Sequence, residues 1–296
     1  MPELPDIALY LEALGERIFG QRLVESRVLS PFLLRSVEPT LEAVTGSVVT
    51  ALERLGKRVA IGFDNDLWLV IHLMIAGRLQ WRAEWPASFT RQTALALRFE
   101  SGTLLLTEAG TRKRASLNVV RGRVGLEAHR RAGVEIDEVS AERFALVLRG
   151  RNHTLKRALT DPGLFSGIGN AYSDEILHRA RLSPFALSTR LSDEECTRLL
   201  AAARDVLREW CDRLREQAAG EFPSKVTAFR KEMAVHGRYG LPCPVCGTKV
   251  QRIRYADNET NYCPRCQTEG RLLADRSLSR LLKDDWPRSI DELEQL

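Results

Sequence analysis

Two sets of residues in this sequence could carry chemistry. The first is the opening, MPELPD. If Met1 is removed, Pro2 becomes a free secondary amine with the Glu3 carboxyl beside it. A free α-amine titrates near about 8, against about 10.4 for a lysine, so a useful fraction is unprotonated at neutral pH. Such an amine can attack an electrophilic carbon, as lysines do with carbonyl substrates. Because Pro2 is a secondary amine, the product is an iminium that stays positive at any pH. Glu3 is then the natural acid or base. A plainer reading competes: Pro2 and Pro5 punctuate a helix, Glu3 favours its dipole, and Lys57 is a solvated strand end. From these residues alone the plainer reading is favoured.

The second set is PCPVCGTKVQRIRYADNETNYCPRCQ, in which Cys243, Cys246, Cys263 and Cys266 follow the spacing C-x2-C-x16-C-x2-C. Each C-x-x-C turn directs two thiolates at one cation, and the stretch between can form a hairpin that unites the pairs. Four thiolates make a closed tetrahedral site, so the expectation is one structural Zn²⁺ with no open position for water. A redox pair would not need the second C-x-x-C. Cys196 and Cys211 lack such a pattern and read as buried thiols. Lys249, Arg252, Arg254 and Arg265 flank the knuckle and could lie against phosphates, although exposed basic residues on a small module are common.

Both sets need elements to position them. Ile7, Leu11, Leu14 and Ile18 repeat at helical spacing, with Pro5 suited to a first turn and Gly20 to a C-terminal cap. The first helix thus starts almost at the chain start, its positive dipole end near Pro2 and Glu3. Within residues 47–121, VVTALERL, KRVAIGF, LWLVIHLMI, TALALRFE and TLLLTE read as short strands separated by turns, which predicts an antiparallel sandwich or barrel. From about 123 the pattern is helical. The clearest case is SDEECTRLLAAARDVLREWCDRLRE, where Ser192 and Glu195 suit a capping box. The expected class is α+β and multidomain.

The 296 residues suffice for one large or two ordinary domains, and the net charge of +5 leans toward a polyanionic partner. No apolar run approaches the roughly 20 residues of a membrane span. The acidic start lacks a signal-peptide pattern. The expectation is a cytoplasmic protein, where thiols stay reduced.

Taken together, MPELPD, the LGK at 55–57, IHLMIAGR at 71–78, SGIGNAYSDEILHRARLSP at 166–184 and VHGRYGLPCPVCG joined to NYCPRC resemble the formamidopyrimidine-DNA glycosylase / endonuclease VIII family. These matches reverse the preference at Pro2. The resemblance implies an N-terminal helix plus antiparallel β-sandwich over 1–122 and a helix–two-turns–helix DNA-binding domain over 123–234. A four-Cys zinc β-hairpin follows at 235–267 and a C-terminal extension at 268–296, with DNA in the cleft between the two large domains. It implies a bifunctional DNA glycosylase and abasic-site lyase of base excision repair. Pro2 attacks C1′ of the damaged nucleotide, and the strand is cut by β- or β,δ-elimination. The partner is DNA bearing damaged, mostly oxidised, bases or abasic sites, met by a monomer.

By the same resemblance Glu3 assists ring opening or proton transfer, and Lys57 stands beside the lesion phosphate. His72, Lys156 and Asn170 contact phosphates, His72 with a satisfied core histidine as its equal alternative. Glu175 is a structural acid. Ile75 takes the place of the family's wedge methionine, filling the hole left by a flipped nucleotide. Arg112 belongs to a basic turn where the family carries an arginine–phenylalanine loop, but TEAGTRKRA has no phenylalanine. Asn258 stands where the hairpin tip usually offers an arginine. The stretch from Gly220 to His236 is shorter than in members that remove 8-oxoguanine. These departures bear on which lesion is taken, not on Pro2 or Glu3. The competing readings are a zinc-dependent protein that binds damaged DNA without cutting it, and a monofunctional glycosylase that keeps Glu3 without needing Pro2.

Overall fold

The computed structural model of the chain describes residues 1–223, 226, 229–255, 258–274 and 287–294, the side chains of 255, 258 and 294 excepted. The chain divides into two compact units. One comprises residues 1–131 and 209–227, the other 132–208 and 228–296.

The first unit opens with helix α1, Leu4–Ile18. Glu3 is its N-cap with extended backbone, Pro5 lies in the first turn, and the Asp6 carboxylate accepts the Glu3 N–H at 2.9 Å. This pairing satisfies a donor that would otherwise be orphaned at a helix start. Ile7, Tyr10, Leu14 and Ile18 form the buried stripe. Eight strands follow: β1 Leu23–Val28, β2 Val49–Leu55, β3 Arg58–Phe63, β4 Leu67–His72, β5 Gly77–Arg82, β6 Thr93–Phe99, β7 Gly102–Glu108 and β8 Ser116–Arg121. They build two antiparallel four-stranded sheets, ordered β1-β6-β7-β5 and β2-β3-β4-β8. The α1 stripe shares one core with Leu69 and Ile71 of β4, Leu95 and Leu97 of β6, Leu104 and Leu106 of β7, and Leu117 and Val119 of β8.

The alternate residues of β4, Trp68 and Val70, form a smaller cluster with Leu126 of the short helix α2, Gly122–Glu127. Burial on both faces explains why LWLVI reads as an unbroken apolar run. The sequence pattern locates β2, β3, β4, β6 and β7. It misses β1, which precedes residue 47, and β5 and β8, whose polar residues interrupt the run.

The second unit holds α3 Ala141–Arg149, α4 Leu155–Thr160, α5 Asn170–Arg179 and the first part of α6, Asp193–Ala218. The capping box expected at α6 is present. The Ser192 N–H donates to Glu195 Oε2 at 2.9 Å, and the Glu195 N–H donates to Ser192 Oγ at 3.1 Å. Strands β9, Gln251–Tyr255, and β10, Asn258–Tyr262, form an antiparallel hairpin that leads into α7, Pro264–Thr268. Of the C-terminal extension, 275–286 and 295–296 lie outside the described residues. Its described part packs on the hairpin: Leu273 is buried beside Ile253 and Tyr262, and its N–H donates to the Tyr262 hydroxyl at 2.8 Å.

Candidate functional site

The N-terminal corner is built by α1 and the β2–β3 hairpin. Capping α1 leaves Pro2 and Glu3 buried, Glu3 to 2% exposure. Leu55 pairs with Arg58, so Gly56 and Lys57 are a two-residue hairpin loop, and Gly56 supplies the positive φ of 63° that such a loop needs. The loop presents Lys57 within the electrostatic reach of Glu3. Burial pushes the Lys57 ammonium below its usual range, and Glu3 opposes that shift. The chain-terminal amine, carried by Met1, is also pushed down, first by burial. Glu3 and Asp6 oppose that effect, while Arg78 and Lys57 add to it. An amine, a carboxylate and a lysine thus share one partly desolvated corner. While Met1 remains, the Pro2 nitrogen is an amide, and a secondary amine exists there only after its removal.

His72 ends β4 directly opposite Arg58 on β3 and Ser116 on β8. Its Nδ1 accepts the Met74 N–H at 3.1 Å, which leaves the ring proton on Nε2 as a free donor direction. Burial, then Arg58, Lys57 and Arg131, push its pKa down to about 4, so the ring is neutral at pH 7. Arg58 Nη1 also donates to the His129 carbonyl at 3.0 Å, bringing the end of the α2 region to this rung. Sequence reading singled out Lys57 and His72 but missed Arg58 and Arg131. No local pattern joins Arg131 to a strand end so far back in the chain.

The turn after His72 presents Ile75, which is 54% exposed. Three features hold it. Met74 takes a left-handed φ of 52°. Arg78 donates from Nη1 to the Ile75 carbonyl at 3.0 Å and from Nε to the Val226 carbonyl at 2.6 Å. A Cβ on Gly77 would lie 2.3 Å from the Leu73 carbonyl oxygen, so only glycine closes this turn. The β7–β8 loop carries Arg112, whose exposed side chain has no partner among the described residues. The loop is anchored by the buried Glu108, which accepts the Arg114 and Ala115 N–H groups at 2.7 and 3.0 Å.

In the second unit, GIGN ends at the start of α5, with Gly169 as N-cap and Asn170 as first helical residue. Lys156 does not offer a free ammonium to solvent. It is 3% exposed, and its Nζ donates to Asp174 Oδ1 at 2.5 Å and to the Asn170 carbonyl at 2.6 Å. A buried ammonium needs such partners, so Lys156 fixes the first turn of α5 from within rather than reaching outward. Asp174, which sequence reading missed, is the node of this network. Its Oδ2 also meets His236 Nδ1 at 2.8 Å and accepts the Asn261 N–H and Nδ2–H at 3.2 Å each. Glu175 accepts the N–H groups of Ala234, Val235 and His236 at 2.7, 2.9 and 2.9 Å. That is the work of a structural acid, as expected.

The four cysteines converge. All four sulfurs lie within 4.8 Å of one another, with separations of 3.9 Å for Cys243–Cys266, 3.4 Å for Cys246–Cys263 and 3.5 Å for Cys246–Cys266. Zn–S bonds of about 2.3 Å in a tetrahedron put sulfurs about 3.8 Å apart, so the set fits one zinc ion. Of the basic flank, Arg265 pairs with Asp291 at 3.2 Å and Arg252 lies over the Tyr239 ring at 4.5 Å, while Lys249 is exposed. Asn258 opens β10, but its side chain lies outside the described residues, as do 224, 225, 227 and 228 of the stretch from Gly220 to His236. Among the described residues no helix is long and apolar enough to cross a membrane.

Comparison with known proteins covers the same regions. Residues 1–117 match the formamidopyrimidine-DNA glycosylase N-terminal domain, 133–216 the H2TH domain of the same proteins, and 240–268 a zinc finger found in FPG and IleRS. A formamidopyrimidine-DNA glycosylase of Heliobacterium modesticaldum is 34% identical over 287 residues, covering 90% of this chain and 100% of the relative. An uncharacterised formamidopyrimidine-DNA glycosylase-like protein of Mycobacterium tuberculosis is 43% identical over 159 residues, 54% of this chain and 99% of its own length. Among solved structures, wild-type Lactococcus lactis Fpg in complex with oxidised-pyrimidine DNA superimposes with a TM-score of 0.80 at 25% identity. The match covers 90% of this chain and 100% of that one.

Proposed function

The chain belongs to the formamidopyrimidine-DNA glycosylase family, and from that premise we propose that it removes damaged bases from DNA and cleaves the strand at the resulting site through an iminium formed on Pro2. The observation that carries the reading is the corner itself. Glu3 is locked as the N-cap of α1 immediately after Pro2, and the Lys57 ammonium lies in its field. A helix cap needs no lysine brought to it on a hairpin tip, and a site for amine chemistry on a phosphodiester does.

With Met1 removed, the Pro2 nitrogen attacks C1′. The bond from C1′ to the base breaks, and the base leaves with the electron pair and takes up a proton. The sugar ring opens as O4′ is protonated, leaving an open-chain iminium between Pro2 and C1′. Glu3 is the group placed to move that proton. The iminium acidifies C2′, and loss of a C2′ proton expels the 3′-phosphate from C3′. A second loss, from C4′, expels the 5′-phosphate from C5′, and water then frees Pro2. Lys57 and the neutral His72 Nε2–H meet the phosphate beside the lesion, Arg112 and Asn170 meet others, and Ile75 enters the vacated stack. Zinc, when bound by Cys243, Cys246, Cys263 and Cys266, supplies only a fold for the hairpin. A cytoplasmic working place is supported by the four thiolates, which must stay reduced to hold the metal.

The test is a duplex carrying one abasic site, and a second carrying one formamidopyrimidine, each incubated with purified protein. Cleavage of both, with eliminated rather than hydrolysed ends, is expected. Binding without cleavage would select the non-cutting reading, and base loss without strand cleavage the monofunctional one.

A further inference from the structure

Helix α5 carries a buried histidine that neither its first turn nor the Asp174 network uses. His178, buried in the helix's last turn, places Nε2 3.3 Å from the sulfur of Cys243. Cys243 is the most deeply placed thiol of the first C-x-x-C arm, packed with Val235, Val250 and Cys263. The second arm is fastened to the same end of the helix. The Gln267 side chain donates to the Leu182 carbonyl at 2.9 Å and accepts the Cys263 N–H at 2.9 Å. The last turn of α5 and the residues after it therefore grip both halves of the knuckle, one through a sulfur and one through a backbone amide.

We propose that His178 is a positioning residue of the zinc centre, donating its Nε2–H to the Cys243 thiolate and thereby tuning and pre-setting that ligand. The proposal rests on the reading of the four cysteines as a zinc site. Four thiolates around one dication leave excess negative charge in a largely buried place, and an N–H donor aimed at a sulfur offsets part of it. The donor also fixes the sulfur's direction before the metal arrives, which is what outer-shell partners of metal ligands do. Donation requires the tautomer with hydrogen on Nε2. His178 is not needed as a ligand itself, because the four sulfurs already close a tetrahedron.

The experiment uses the full chain loaded with zinc and a chromophoric chelator as competitor. His178→Phe keeps the ring volume and removes the donor, while His178→Gln keeps an N–H at similar reach. His178→Phe should bind zinc about 10–100-fold more weakly, the range for loss of an outer-shell partner, and His178→Gln should recover most of that loss. Nitrogen NMR of the wild-type ring supplies a reading that needs no variant: Nε2 should carry the proton in the zinc-loaded chain. Zinc affinity unchanged in His178→Phe, equal losses in both variants, or an unprotonated Nε2 would each overturn the proposal. Cobalt substitution showing a nitrogen ligand would overturn it too, making His178 a ligand in place of a cysteine. A freshly purified wild-type chain without zinc would overturn the zinc reading itself, an outcome separate from these.

Discussion

Glu3 is held in two ways that pull on different chemistry. As the N-cap of α1 it belongs to the helix, and as the neighbour of Pro2 and Lys57 it belongs to the candidate active site. Glu3→Gln keeps the shape and the capping oxygen but not the proton. Single-turnover release of an intact lesion should then fall by about 10²–10⁴-fold, with DNA affinity in a gel-shift assay near wild type. Excision at the wild-type rate would remove Glu3 from the mechanism. His72 makes a prediction about pH. Its folded pKa of about 4 lies below the ordinary value near 6.5, so between these values the unfolded chain binds the proton more readily. Stability should therefore fall as pH drops from about 6.5 to about 4. His72→Asn, which keeps an acceptor for the Met74 N–H, should flatten that part of a urea-unfolding series. An unchanged slope would contradict the assignment. The four cysteines were legible because their spacing is regular, whereas the adjacent pair Pro2 and Glu3 read alone as a helix cap and only the family resemblance turned that reading toward chemistry. Asp174 was not. Inside SDEIL it reads as an ordinary helix acid, and its partners stand 18, 62 and 87 residues away.

Among the elements, the turn between β4 and β5 separates shape from contact most cleanly. Gly77 is pressed against the Leu73 backbone and Ile75 stands out from it. Gly77→Ala should destabilise the first unit by about 1–3 kcal/mol, because a carbonyl 2.3 Å away cannot yield as a side chain would. Ile75→Ala should change stability by less than about 0.5 kcal/mol, as exposed substitutions do, and yet slow excision. Thermal unfolding of the two variants, set beside their excision rates, checks both claims. If Ile75→Ala unfolds early and excises normally, Ile75 is packing and not a wedge. The sequence showed helices and strands where one periodicity persisted, as in α1, α6 and the β3–β4 hairpin. It hid β1, β5 and β8 because Glu25, Gln80 and Asn118 break the apolar runs of strands that are buried on one face only. It named Lys156 as a phosphate contact, and the fold instead buries its ammonium between Asp174 and Asn170. Composition cannot distinguish a lysine that reaches out from one that braces a turn.

At the scale of the whole molecule, the family resemblance assigns this chain's departures to lesion recognition. TEAGTRKRA lacks phenylalanine, and by that resemblance Ile75 stands for a methionine, Asn258 for an arginine, and the stretch from Gly220 to His236 is short. None touches the amine corner. Abasic-site cleavage should therefore be robust and 8-oxoguanine excision weak, in single-turnover rates measured side by side at fixed salt, since phosphate contacts make affinity salt-dependent. Processing of 8-oxoguanine opposite cytosine as fast as the best substrate would show that these departures do not set specificity. All of this depends on Pro2 being the nucleophile, and borohydride reduction of the protein on abasic DNA tests that most directly, because it freezes the iminium as a stable amine. The account predicts a trapped adduct whose peptide map places the sugar on the nitrogen of Pro2, with Met1 absent. An adduct mapped to Lys57 or any other lysine, with Pro2 unmodified, would contradict it.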